Sequence, residues 1–176
     1  LIGRSVWGQA KKELNKIKDK NITDQMVKDF IKYYGENILQ ESQLIEGVET
    51  FLKWSQKNKI SLAVCTNKPE KLAVDLLKKI KIYDYFEYVA GSDTFDYCKP
   101  DPRHLTNIIE IINGELKKSI MIGDSETDGK AAANADMPFI LLENGYTDKM
   151  PNEIKHDHLV KNFNNIELII KKYLND

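Results

Sequence analysis

From residue 44 onward, short apolar runs alternate with amphipathic stretches, and that alternation limits what the chain can fold into. The runs are residues 60–65, 88–91, 119–123 and 139–142, the first bounded by polar residues on both sides. Such short apolar segments suit strands buried on both faces of a parallel sheet. Between them, Leu72, Leu76, Leu77 and Ile80 follow Pro69 at helical spacing, and Leu105, Ile108, Ile109 and Ile112 follow Pro102. Proline is favoured in the first turn of a helix, where its missing N–H costs nothing. A helix bearing Val48, Phe51 and Leu52 is expected to end near Asn58. Asn164 is expected to cap a last helix carrying Ile166, Ile169, Ile170 and Tyr173. Strand–helix alternation of this kind predicts an α/β fold with a Rossmann-like parallel sheet core.

Residues 1–43 read differently. Val6, Ala10, Leu14 and Ile17 recur at helical spacing after Ser5, and Met26, Val27, Phe30, Ile31 and Tyr34 do so after Thr23. No β-rich run interrupts them. The expected organisation is a small helical hairpin over 1–43, turning at 18–21, followed by the α/β core over 44–176.

Charge and cysteine content narrow the class of function. Lys plus Arg number 26 and Asp plus Glu 27, a net charge of −1 that offers nothing to attract nucleic acid. No apolar run approaches the roughly 18 residues of a membrane span. Cys65 and Cys98 form no CxxC pair, and two free thiols suit a reducing, cytoplasmic setting. Trp7, Trp54, Tyr33 and Tyr34 are aromatic candidates for a core, a cap–core seam or an interface, and the oligomeric state is left open.

Ligands of open parallel sheets bind beyond the carboxyl ends of the strands. Thr66, Asn67 and Lys68 follow the first run. Ser92, Asp93 and Thr94, then Lys99-Pro100-Asp101-Pro102, follow the second. Asp124, Ser125, Glu126, Thr127 and Asp128 follow the third. Asp124 and Asp128 are one helical turn apart and can face one point. Carboxylate oxygens suit Mg²⁺, which binds through one or two carboxylates, water and a substrate phosphate. The same residues at a helix start would also complement its dipole. A lysine such as Lys99 beside them can neutralise both carboxylate and phosphoryl charge. Thr66 supplies a hydroxyl, either to a phosphate or as a helix cap, and the amides after it open a helix, which is a ready anion site.

Taken in order, Thr66-Asn67-Lys68, Lys99-Pro100-Asp101-Pro102 and Gly123-Asp124-Ser125-Glu126-Thr127-Asp128 resemble the second, third and fourth motifs of the haloacid dehalogenase superfamily. Gly91-Ser92-Asp93-Thr94 resembles its phosphoglycolate-phosphatase-like members, and Ile2-Gly3 resembles the start of their helical cap. The resemblance implies a Mg²⁺-dependent phosphatase acting on a small phosphorylated metabolite through an aspartyl-phosphate. It implies that Thr66 and Asn67 meet the phosphoryl group and that Lys99 stabilises its charge. It further implies that Asp124 binds Mg²⁺ and that Asp128 orients the metal's surroundings or Lys99, so that both belong to the metal site. Arg4, near the cap start, is placed to pair with a substrate carboxylate, although an exposed helix-start arginine is the commoner role.

One motif of that family is absent. No Asp-x-Asp follows an apolar strand in this sequence, and His156-Asp157-His158 reads as a surface turn. Nucleophile and acid/base are therefore both expected to lie in a segment of about 30–50 residues ahead of Leu1, by typical element lengths. Losing a covalent nucleophile costs on the order of 10⁴–10⁶ in rate, so the 176 residues alone are expected to be inactive. In this family the missing strand runs between 60–65 and 119–123, so both are expected to present unpaired edges. Two alternatives remain: a non-catalytic protein that binds Mg²⁺ or phosphate, and a phosphomutase or phosphonate hydrolase on the same fold. The latter would use a cap lysine such as Lys11 or Lys12.

Overall fold

The computed structural model describes residues 43–143, 145, 147 and 149–174, together with 25, 26, 28, 29, 32 and 33. Arg4, the first helix of the expected hairpin and its turn lie outside the described residues. The six described residues between 25 and 33 are helical, as predicted after Thr23, and Gln25 Nε2 donates to Asp29 Oδ1 one turn on at 2.9 Å.

The core follows the predicted alternation. Helix α1 (Val48–Lys57) buries Val48, Phe51, Leu52 and Ser55, which share one helical face, and stops at Asn58. Strand β1 (Ala63–Cys65) leads into α2 (Glu70–Lys79), which buries Leu72, Ala73, Leu76 and Leu77. Strand β2 (Tyr88–Ala90) precedes α3 (Arg103–Ile111), β3 (Met121–Gly123) precedes α4 (Glu126–Asn134), and β4 is Phe139–Leu142. A fifth strand, β5 (His158–Val160), and α5 (Ile166–Leu174) complete the core.

Side chains of β4 alternate between two apolar layers, as the pleat of a strand requires. Ile140 and Leu142 pack with Val48, Phe51 and Leu52 of α1, Ala73 and Leu77 of α2, and Ile166 and Ile170 of α5. Phe139 and Leu141 point the other way, against Leu105 of α3 and Ala131 and Ala132 of α4. The sheet is thus covered on both faces. All four residues of β4 are buried, which is why this strand is an unbroken apolar run.

Pairing among the described residues is parallel but interrupted. β1 pairs with β2 in the register Val64 to Val89. β3 pairs with β4, Ile122 to Ile140, and β4 with β5, Leu141 to Leu159. β1 and β3 do not pair with each other. Between them runs a cavity of about 370 Å³ lined by Leu62 and Val64 from one side and Ile120 and Ile122 from the other. The expected open edges are therefore present. Apart from the buried Met121, their residues stay half-buried while those of β4 are closed off.

Two expectations are corrected. His156-Asp157-His158 is not a free surface turn: Asp157 exchanges hydrogen bonds with Phe139, its N–H donating to the carbonyl at 2.9 Å and its Oδ2 accepting the amide at 2.8 Å. That docks the segment beside β4, and His158 then opens β5. The strand is hard to see in the sequence because it is three residues long, with only Leu159 and Val160 apolar and Leu159 exposed. Nor does Asn164 cap α5. Its Nδ2 donates to Glu46 Oε1 at 2.9 Å, and Asn165 (φ 61°) turns the chain before the helix begins.

In hydrogen-exchange measurements on the 176-residue chain, the amides of Cys65 and Ile122 are expected to exchange orders of magnitude faster than those of Ile140 and Leu141, since open edges cost little to expose. Equal protection would mean that the two edges are closed.

Candidate active site

Thr66, Lys99, Asp124 and Asp128 come from three separate segments, the last two sharing the turn into α4, yet all four line the same end of the cavity between β1 and β3. Each follows the carboxyl end of a strand, as parallel strands with covering helices require.

Lys99 is the best-anchored of them. Its Nζ donates to Asp128 Oδ1 at 2.6 Å and to the Cys65 carbonyl at 2.5 Å. The peptide between Cys65 and Thr66 sends its N–H to Ala90 of β2 at 2.9 Å, so its carbonyl must point the opposite way, toward the unpaired edge of β1. The ammonium therefore sits on the open side of that strand. Its backbone is held as well. Asn67 Nδ2 donates to the Lys99 carbonyl at 2.8 Å, and the Lys99 N–H donates to His104 Nδ1 at 3.1 Å.

Asp128 is fixed from the opposite direction. Its Oδ2 accepts from the Asp124 and Ser125 amides, each at 3.1 Å, and from Ser125 Oγ at 2.7 Å, while its own amide donates back to Ser125 Oγ. This is a capping box at the start of α4, which pairs orphan helix amides with side chains. Gly123 allows it: a Cβ there would lie 2.6 Å from Asp128 Cβ and Cγ. Both oxygens of Asp128 are therefore committed to hydrogen bonds, one to Lys99 and one to the turn.

Only 8% and 7% of the Lys99 and Asp128 side chains are exposed. Burial alone would push the ammonium down, but Asp128 holds it above its ordinary value. Burial alone would push Asp128 up, but Lys99, with Ser125 and the Asp124 amide, holds it down. Both groups are charged. Burial also pushes the Cys65 thiol up to about 12, so it is a neutral thiol and no nucleophile.

Asp124 is half-buried on the cavity wall, and Gly145 presses against it so closely that a Cβ would overlap the Asp124 carbonyl oxygen. Among the described residues, no group of three or more His, Cys, Asp or Glu side chains could hold a metal ion. Thr66 Oγ1 accepts the Lys68 amide at 3.1 Å, which leaves its hydroxyl proton to donate. The expected open anion site at the start of α2 is corrected in part. Glu70 N–H donates to Asp93 Oδ1 at 2.7 Å, so that amide and the Lys68 amide are taken. Asn67 is drawn to the Lys99 backbone.

Three contributors escaped the sequence reading: Ser125, His104 and Gly145. Ser125 carried a legible signal, an N-cap serine three residues before an acid. His104 and Gly145 act through tertiary approach, and their spacing announces nothing.

The sequence matches the family described as haloacid dehalogenase-like hydrolase over residues 4–142. The chain belongs to that family. Proteins named phosphoglycolate phosphatase from Agrobacterium fabrum and Mesorhizobium japonicum are 40% and 35% identical to it, each over 140 residues and 80% of this chain. The chain spans about three fifths of the length of these curated relatives, 60% and 62%. The crystal structure of a predicted phosphoglycolate phosphatase from Haemophilus somnus 129pt superposes with a TM-score of 0.81 at 27% identity, covering 90% of this chain and 71% of that one. Thr66, Lys99, Asp124 and Asp128 thus stand at the strand ends of a haloacid dehalogenase-like hydrolase core.

Removing one partner of the buried pair strands the other's charge, so Lys99→Met and Asp128→Asn are each expected to cost about 3–5 kcal/mol. The double variant should cost less than either, as urea unfolding would show.

His104 adds a pH dependence. Burial, then the nearby Lys99 charge, push its imidazole down to about 4 from an ordinary 6.5, while the Gly91 backbone and then Asp101 pull the other way. Between those values the unfolded chain binds a proton that the folded chain does not. Stability should therefore fall by up to about 3 kcal/mol as pH drops from about 6.5 to about 4. The Asp128 contribution is lost at still lower pH, as its depressed folded value is crossed. Unfolding midpoints measured across that range check both phases.

Proposed function

We propose that this chain forms one wall of the active site of a Mg²⁺-dependent phosphatase of small phosphorylated metabolites, phosphoglycolate-like in class. The observation that carries the reading is the convergence of Thr66, Lys99 and Asp124 at the carboxyl end of the cavity between β1 and β3. A charged Lys99, pinned to Asp128, is a preorganised cation for phosphoryl oxygens and for a carboxylate nucleophile. The Thr66 hydroxyl donates to the transferring group. Names of the related phosphoglycolate phosphatases support the substrate class.

The donor chemistry fits Mg²⁺. An oxygen-only contribution from Asp124 meets the need of an ion that takes one or two carboxylates and completes its shell with water and phosphate. Asp128, hydrogen-bonded through both oxygens, orients Lys99 and the Asp124 backbone. When bound, Mg²⁺ would supply charge neutralisation at the phosphoryl oxygens. The nucleophilic carboxylate enters with a segment that fills the cavity between β1 and β3.

The intact protein is expected to hydrolyse p-nitrophenyl phosphate with Mg²⁺ and to lose activity with EDTA, while the 176 residues alone show no turnover. In the intact protein, Lys99→Met should lower kcat by about 10²–10³. Asp124→Asn should raise the Mg²⁺ concentration needed for half-maximal rate. Hydrolysis untouched by EDTA and by Lys99→Met would overturn the reading.

A further inference from the structure

The backbone of Lys99 is as constrained as its ammonium, and one of the groups constraining it lies outside the cavity wall. His104 is fully buried. It sits one residue into α3, and its ring folds back five residues to meet the Lys99 amide at 3.1 Å. Phe95 packs edge-on against the ring, with centroids 5.8 Å apart and planes at 87°. The acceptor is Nδ1, so the neutral ring must carry its proton on Nε2. That proton faces the Gly91 backbone, which pulls the imidazole's pKa up, but no hydrogen bond of ordinary geometry forms there. A leucine or methionine would fill the same space without an unsatisfied polar atom. The histidine is therefore explained by what Nδ1 accepts, since a buried, unpaired Lys99 N–H would be costly.

We propose that His104 is a positioning residue: its Nδ1, in the Nε2–H tautomer, fixes the Lys99 backbone so that the ammonium reaches Cys65 and Asp128. The Asn67 amide on the Lys99 carbonyl is the second clamp. With one peptide group held on each side, the side chain leaves the turn from a defined origin and spans the open edge of β1. Loss of the histidine clamp lets the turn at 98–102 shift, and Lys99 then samples positions away from Asp128. The proposal deepens the phosphatase reading in one respect, because the catalytic consequence rests on the role assigned to Lys99 there. The positional claim does not.

Two substitutions separate acceptor from bulk. His104→Asn places an amide oxygen where Nδ1 stands, and His104→Leu keeps volume without an acceptor. In the intact protein, lysines are labelled with acetic anhydride under native conditions and Lys99 is followed by peptide mass spectrometry, with exposed Lys118 as internal reference. Lys99 labelling is expected to rise roughly tenfold or more in His104→Leu and to stay within about threefold of wild type in His104→Asn, as expected for losing and keeping one buried hydrogen bond. Nitrogen-15 spectra of the wild type should show Nδ1 as the unprotonated ring nitrogen. Turnover of p-nitrophenyl phosphate should fall in kcat more than it changes KM in His104→Leu, and recover in His104→Asn.

Unchanged Lys99 labelling in His104→Leu overturns the proposal, and so does equal exposure of Lys99 in both variants, which would make bulk the only requirement. A protonated Nδ1 in the wild type overturns it as well. Raised labelling in His104→Leu alone, with kcat unaffected, upholds the positioning role and overturns the catalytic assignment of Lys99 instead. Should His104→Leu fail to fold, the wild-type spectrum and His104→Asn still decide.

Discussion

The buried Lys99–Asp128 pair is the interaction on which the site depends. Burying either charge alone would be prohibitive, so each is present only because the other is. The pair also ties together parts of the chain that share no backbone hydrogen bonds. Lys99 follows β2 and reaches the edge of β1, whereas Asp128 belongs to the helix that follows β3. Across a core whose two sheets do not join, this contact bridges the gap at its carboxyl end.

That gap is the second constraint. A parallel sheet covered on both faces normally has no place for unpaired strands inside it. Here β1 and β3 both turn peptide groups toward an apolar cavity, with the charged cluster at one end. The geometry suits an extended segment whose apolar body lies between the sheets and whose final residues emerge beside Lys99, Thr66 and Asp124. Cation, hydroxyl and carboxylate are already brought together at that end by the fold itself, the kind of arrangement electrostatic preorganisation requires.

Much of the architecture was legible because it is local. Helices α1 to α3 declared themselves through faces such as Val48–Phe51–Leu52 and Leu72–Leu76–Leu77, and β4 through an unbroken apolar run. The other three strands came out shorter than their runs, 60–65 becoming Ala63–Cys65, because a ladder extends only as far as its neighbour pairs. β5 was hidden because it covers only three residues, and it is held by pairing with β4 and by Asp157 docked on Phe139, contacts across the fold that its own sequence does not announce. For the same reason Asn164 misled: a good capping residue near a helix start was claimed by Glu46 across the fold.

By itself the sequence determined the order of elements, the parallel sheet and the strand ends at which Thr66, Lys99, Asp124 and Asp128 stand, since these follow from periodicity and from where apolar runs stop. Tertiary structure alone decided the division of labour among them. It committed both oxygens of Asp128, drew Asn67 and His104 onto the two sides of the Lys99 peptide, and pressed Gly145 onto Asp124. Those outcomes depend on directions of approach between segments tens of residues apart, and the spacing of residues along a chain carries no record of them.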